Sequence, residues 1–157
     1  MSEPLLVADG LHKAYQMGRG LLPVLRGCDL ELAAGEFVAV MGKSGSGKST
    51  LLHILGALDV PQNGQVLFRG EPIFGPGPNR RITPSLIDAF SASERRRIQL
   101  RRRAFGFVFQ FYHLLPELNV LENVLLTRMV GSGLLEWWRG GARAAREDAL
   151  EILARVG

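Results

Sequence analysis

Nine consecutive residues, Gly42-Lys43-Ser44-Gly45-Ser46-Gly47-Lys48-Ser49-Thr50, state the chemistry of this sequence most plainly. Gly42, Gly47, Lys48 and Ser49 fall on the G-x-x-x-x-G-K-[ST] spacing of a Walker A phosphate loop. Glycines let successive backbone N–H groups converge on a phosphate, and a helix opening behind them adds unpaired N–H donors and its positive dipole end. Lys48 would reach the β and γ phosphates of a nucleoside triphosphate. Ser49 would offer its hydroxyl to Mg2+, and Thr50 a further contact near the α phosphate. With this composition, about 0.003 accidental matches are expected, so coincidence does not explain the pattern. A glycine-rich strand-to-helix turn that binds nothing is the plain alternative, and the flanking elements speak against it.

Those elements can be read from the sequence. Phe37-Val38-Ala39-Val40-Met41 is a continuous apolar run bounded by turn residues, the signature of a central strand covered on both faces in a parallel sheet. Leu51, Leu52, Ile54, Leu55 and Leu58 follow the loop at helical spacing. Upstream, Leu5 to Val7 and Leu25 to Leu32 read as strands. Downstream, Pro61 to Gly64 breaks the chain, Gln65 to Phe68 returns as a strand, and the Gly and Pro density of Gly70 to Pro84 argues a surface loop. Ser91 or Ser93 can cap the arginine-rich helix that comes next, and Phe105 to Phe109 reads as a buried strand. Asn119 and Glu122 form a capping box for a helix through Met129. After a break from Gly131 to Gly141, Ala149, Ile152, Leu153 and Val156 mark one face of a last helix.

At 157 residues, with 46% hydrophobic and 22% charged, the chain has the size and makeup of one folded domain. Its single cysteine, Cys28, excludes an internal disulfide framework and fits a reducing compartment. The N-terminus carries acids where a secretory signal would be basic, and no apolar run approaches the roughly 20 residues that span a bilayer. Neither export nor membrane insertion is expected. The net charge of +4 is local: six of the 19 basic residues are Arg95, Arg96, Arg97, Arg101, Arg102 and Arg103. The other 13 are outnumbered by 15 acidic residues. No aromatics interleave with these arginines to stack bases, so nucleic acid is not an expected partner. A solvated helix face, or contact with a membrane surface or a partner, remain as readings. Trp137 and Trp138 read as packing or a partner contact rather than a cofactor site.

Two further features stand around the phosphate loop. Leu11-His12-Lys13-Ala14-Tyr15 precedes it, and Gln110 lies in Phe107-Val108-Phe109-Gln110-Phe111-Tyr112-His113-Leu114-Leu115-Pro116. Here the sequence resembles the ATP-binding subunits of ABC transporters. The stretch from Gln110 to Val124, with Ser49 to Asp59, is most similar to the LolD-type ATPases of lipoprotein-releasing systems, followed by MacB-type efflux and FtsE-type cell-division ATPases. The resemblance implies an α/β P-loop NTPase of ABC type with an N-terminal antiparallel β part. It implies ATP and Mg2+ as cofactors, held by Tyr15 stacking on adenine and by Gly42 through Thr50. It gives Lys48 a catalytic role and makes Gln110 the Q-loop glutamine, which contacts Mg2+ and the attacking water. It further implies a membrane permease and a second, head-to-tail ATP-binding subunit as partners, on the inner face of the cell membrane.

The resemblance covers only the N-terminal portion of such a domain. The signature sequence, the Walker B strand with its aspartate, the catalytic glutamate and the switch histidine are not among these 157 residues. In this class of fold, the Walker B strand and its successor lie between the P-loop strand and the Q-loop strand. The runs Phe37 to Met41 and Phe105 to Phe109 are therefore expected to face a gap, leaving the isolated chain marginally stable and without turnover. Two rivals remain from the sequence: a P-loop small-molecule kinase, and a nucleotide-binding fragment that does not hydrolyse.

Overall fold

The computed structural model describes residues 3–74, 86–131 and 141–156, and the chain separates into two units, 1–107 and 108–157. In the first, β1 (Leu6–Met17) and β2 (Gly20–Leu32) form an antiparallel ribbon. Gly18 stands at φ 59 in the two-residue connection, where a tight hairpin turn calls for glycine. β3 (Asn63–Phe68) pairs with β1 and β4 (Glu71–Phe74) with β3, giving the antiparallel order β2-β1-β3-β4. The buried residues of β1 are Leu6, Ala8 and Leu11, one step out of strict alternation. Pairing slips at Asp9 and Gly10, where Gly10 takes φ 57 and its N–H donates to Asp29 at 2.6 Å. A bulge of this kind turns Leu11 back to the inner face.

Against that face lies α1 (Lys48–Leu55), whose Leu51, Ile54 and Leu55 join Leu6, Leu11, Leu25, Val66, Ile73 and Phe74 in one buried cluster. Each such side chain stabilises the fold by roughly 1.5–3 kcal/mol when fully buried. α2 (Leu86–Arg103) adds Leu100 to the edge of the cluster, and Phe105 beyond it stacks edge-on against Phe68 at 5.1 Å. The arginines of α2 divide. Arg97 pairs with Glu94 and lies over the Phe74 ring at 5.3 Å, while Arg101 donates to the Ala57 carbonyl at 2.7 Å. Arg95, Arg102 and Arg103 are exposed, so the solvated-face reading describes half of the cluster.

Several sequence expectations are corrected here. Phe37 to Met41 is not a covered strand: it takes part in no β-ladder among the described residues, and Phe37 and Met41 are 95% and 88% exposed. Phe105 to Phe109 is likewise not β-strand, with Val108 fully exposed. An apolar run becomes a strand only when a neighbour supplies its hydrogen bonds. Part of the loop expected from Gly70 is β4, because Arg69 and Gly70 at φ 53 and 72 make the tight turn that sends the chain back along β3. The rest of that stretch from residue 75, with Trp137 and Trp138, lies outside the described residues. α2 starts at Leu86, so Ser91 and Ser93 fall inside it rather than at its cap.

The second unit contains α3 (Val120–Gly131) and α4 (Ala142–Val156). The capping box is formed in both directions: the Glu122 N–H donates to Asn119 Oδ1 at 2.9 Å and the Asn119 N–H to Glu122 Oε2 at 2.8 Å. Asn123 ties down the segment before α3, accepting from the Leu115 N–H at 2.8 Å and donating to the carbonyls of Leu115, Leu118 and Asn119. α4 buries Ala145 and Ala149, whereas Ile152 and Val156, expected on the same face, are 53% and 78% exposed. Arg128 of α3 bonds Asp148 of α4 at 2.8 Å.

Candidate nucleotide site

The loop from Gly42 to Gly47 is shaped by contacts that only glycine allows. Gly45 and Gly47 adopt φ 78 and 91, in the left-handed region. A Cβ on Gly47 would stand 2.8 Å from Val24 Cγ1 and 3.2 Å from the Val24 carbonyl, so the rear of the loop is pressed onto β2. A Cβ on Gly42 would stand 2.8 Å from Ser46 Oγ. The Ser46 N–H donates to the Lys43 carbonyl at 3.2 Å, closing the turn. α1 then opens at Lys48 with no side-chain cap on Gly47 and no acidic residue in its first turn. Its end therefore keeps free N–H donors and uncompensated positive character.

Lys48 folds back over the loop and donates to the carbonyls of Gly42 and Lys43 at 2.9 and 2.8 Å. These are weak neutral acceptors, and phosphate oxygens on the same side of the loop would be stronger ones. Lys43, Ser44, Gly45, Ser46 and Ser49 are exposed. Among the described residues no group of three or more His, Cys, Asp or Glu side chains forms a metal site. The side-chain oxygens at the loop are the hydroxyls of Ser44, Ser46, Ser49 and Thr50. That set suits Mg2+ delivered with phosphate oxygens, since this ion keeps waters and takes only one or two protein ligands.

Tyr15, on β1, is brought beside the same helix. Its hydroxyl donates to Asp59 Oδ2 at 2.8 Å and approaches Thr50 Oγ1 at 3.4 Å. Tyr15 is 37% exposed, and the Lys13 ammonium lies over its ring, 5.1 Å from the centre. Lys13 also bonds Asp59 Oδ1 at 2.6 Å and the Val60 carbonyl at 2.8 Å. Partial burial pushes the Asp59 carboxyl up, but hydrogen bonds from Lys13, Tyr15 and the Val60 N–H, with the Lys13 charge, outweigh it and hold the group below its usual value. Sequence reading assigned no role to Asp59 or Lys13. Asp59 stands 44 residues from Tyr15, and no local pattern announces such a pair. Gln110 is exposed and belongs to the second unit. The first unit holds Tyr15 and Gly42 through Thr50.

A glycine loop that opens a helix, with a lysine folded over it, has the form of a phosphate-binding loop. The ABC transporter family model matches residues 25–157, and the chain belongs to that family. It is 44% identical over its whole length to the lipoprotein-releasing system ATP-binding protein LolD of Cereibacter sphaeroides, covering 60% of that protein. It is 41% identical over 96% of its length to the LolD protein of Paramagnetospirillum magneticum, covering 57% of it. Among solved structures, the ATP-binding cassette MJ0796, a dimer in a post-hydrolysis state bound to ADP and Pi, superposes with TM-score 0.69 at 32% identity. That match covers 95% of this chain and 56% of the cassette. The chain therefore spans between half and two thirds of the length of the relatives it matches.

Proposed function

We propose that this chain is the nucleotide-holding portion of an ABC transporter ATP-binding subunit of the lipoprotein-releasing type. The observation that carries the site assignment is the approach of Tyr15 to Thr50, which sets an accessible aromatic ring beside the phosphate loop. Adenine would lie on Tyr15 while the triphosphate enters the loop. There the N–H groups of Gly45 to Ser49 would surround the β phosphate, and Lys48 would exchange its two carbonyl partners for β and γ oxygens. Ser49 would hold Mg2+, which supplies charge neutralisation across those phosphates. Gln110 would join Mg2+ and the attacking water in the assembled cassette. Hydrolysis, work on a membrane permease and pairing with a second ATP-binding subunit are proposed for a cassette of the relatives' full length, placed on the inner face of the cell membrane. Among the described residues no helix is long and apolar enough to cross a membrane. The LolD relatives support this reading over an efflux, cell-division or small-molecule kinase assignment.

Calorimetry with ATP and Mg2+ on the 157-residue chain and on Lys48→Ala tests the site. The variant should lose measurable nucleotide affinity, because the cation aimed at the β and γ phosphates is gone. Unchanged affinity would remove the loop from consideration. The 157 residues should bind without sustained phosphate release, and steady release would place the carboxylate chemistry in residues not assigned above.

A further inference from the structure

We infer that Asp59 is a positioning residue for the base: it holds the Tyr15 ring in place for adenine and ties that ring to the helix that carries the phosphate loop. The inference rests on Tyr15 being the adenine platform. Asp59 follows α1, and its own N–H donates to the His53 carbonyl at 3.1 Å, so its place is set by that helix. Its two carboxylate oxygens are divided between partners. Oδ1 takes the Lys13 ammonium at 2.6 Å and the Val60 N–H at 2.7 Å, and Oδ2 takes the Tyr15 hydroxyl at 2.8 Å.

Lys13 and Tyr15 are two residues apart on β1 and therefore project from one face of the strand. Asp59 thus grips both. The hydroxyl is fixed at the far end of the ring, and the Lys13 ammonium covers one side of it. A ring with a cation on one side offers a base only its other side, and a pinned hydroxyl stops it from turning away. Since the pin runs to α1, one helix sets both the ring and the loop, and the spacing between base and phosphates is decided before nucleotide arrives. Chelation of that kind favours a ligand carrying both groups over either group alone. Phenylalanine would supply the same stacking surface without the pin, which gives the hydroxyl of Tyr15 a purpose that stacking alone does not.

The full 157-residue chain is titrated calorimetrically with Mg2+-ATP and with tripolyphosphate, as wild type, Tyr15→Ala, Tyr15→Phe, Asp59→Ala, Asp59→Asn and the pair Tyr15→Phe with Asp59→Ala. Tyr15→Phe and Asp59→Ala should each weaken ATP about threefold to tenfold, the range of one net hydrogen bond, and leave tripolyphosphate unchanged. The pair should be no weaker than Asp59→Ala to within about twofold, because the two changes break one contact. Asp59→Asn keeps an acceptor for the hydroxyl and should retain more ATP affinity than Asp59→Ala. Additive losses in the pair, or equal losses of ATP and tripolyphosphate in Asp59→Ala, would reduce Asp59 to a structural residue and overturn the inference. If Asp59→Ala does not fold, Tyr15→Phe decides: an ATP-selective loss supports the inference and unchanged affinity overturns it. Tyr15→Ala separates the two levels. An ATP-selective loss there keeps the platform reading whatever Asp59 does, whereas equal loss of ATP and tripolyphosphate removes the platform and the inference together.

Discussion

Alanine at Gly45 and alanine at Gly47 should differ in cost although the two glycines share a backbone conformation. Both take left-handed φ, 78 and 91, where a Cβ costs roughly 1–2 kcal/mol. Around Gly45 nothing lies within 4 Å of the added atom, so conformational strain is the whole penalty. At Gly47 the atom would meet Val24 Cγ1 at 2.8 Å, Leu25 Cδ2 at 3.2 Å and the Val24 carbonyl at 3.2 Å. The carbonyl cannot rotate aside, and forcing an extra carbon into such packing adds about 1–3 kcal/mol. Gly47→Ala should therefore be less stable than Gly45→Ala by about 1–3 kcal/mol. With a urea dependence of about 1–3 kcal/mol/M for a small protein, its midpoint should lie roughly 1 M lower. Urea unfolding followed by far-UV circular dichroism at low temperature reads this, and complete loss of the transition in Gly47→Ala is the limiting case of the same result. Equal midpoints would refute the reasoning, since they would mean that the loop does not rest on β2 as described.

Two further outcomes are expected. Asn119→Ala should destabilise α3 by about 1 kcal/mol, the usual worth of an N-cap, seen as faster amide exchange at Glu122 and Asn123 while the first unit is unaffected; unchanged exchange there would contradict the capping box. The second concerns acid. Asp59 has a folded pKa below the ordinary 3.8, so its contribution is complete above that value and is lost as pH falls below it through the folded pKa. The difference in thermal midpoint between wild type and Asp59→Asn should accordingly be constant from pH 6 to pH 5 and shrink below about pH 4; a gap that widens on acidification would reverse the sign of the argument.

The glycine loop was legible because its pattern is local: spacing alone puts Gly42, Gly47, Lys48 and Ser49 in order, and Lys48 bonds the carbonyls of Gly42 and Lys43. The Asn119 and Glu122 cap was legible for the same reason, its two residues lying three apart. The apolar run Phe37 to Met41 misled, since hydrophobicity signals a strand's suitability for burial while its ladder depends on a neighbour elsewhere in the chain. β1 was foreseen only over its first residues, because the polar stretch around Asp9 and Gly10 hides a bulge that lets the strand continue to Met17. The grip of Asp59 on Tyr15 and Lys13 was invisible for a different reason. It is made by side chains 44 and 46 residues apart, and none of the three is unusual in its own neighbourhood.

The exposed approach to the loop bears on how phosphate binding would register thermally. Behind, Gly47 is wedged against β2, and the run that leads into the loop, Phe37 to Met41, lies in no β-ladder among the described residues, although Val40 packs against the core. Any backbone freedom that a ligand removes from that run costs about 1–2 kcal/mol of entropy for each residue fixed. Association should carry a large favourable enthalpy opposed by entropy, the pattern of coupled ordering and binding. Anything that laid a strand along Phe37 to Met41 would raise affinity without touching the ligand, by meeting that entropy cost in advance.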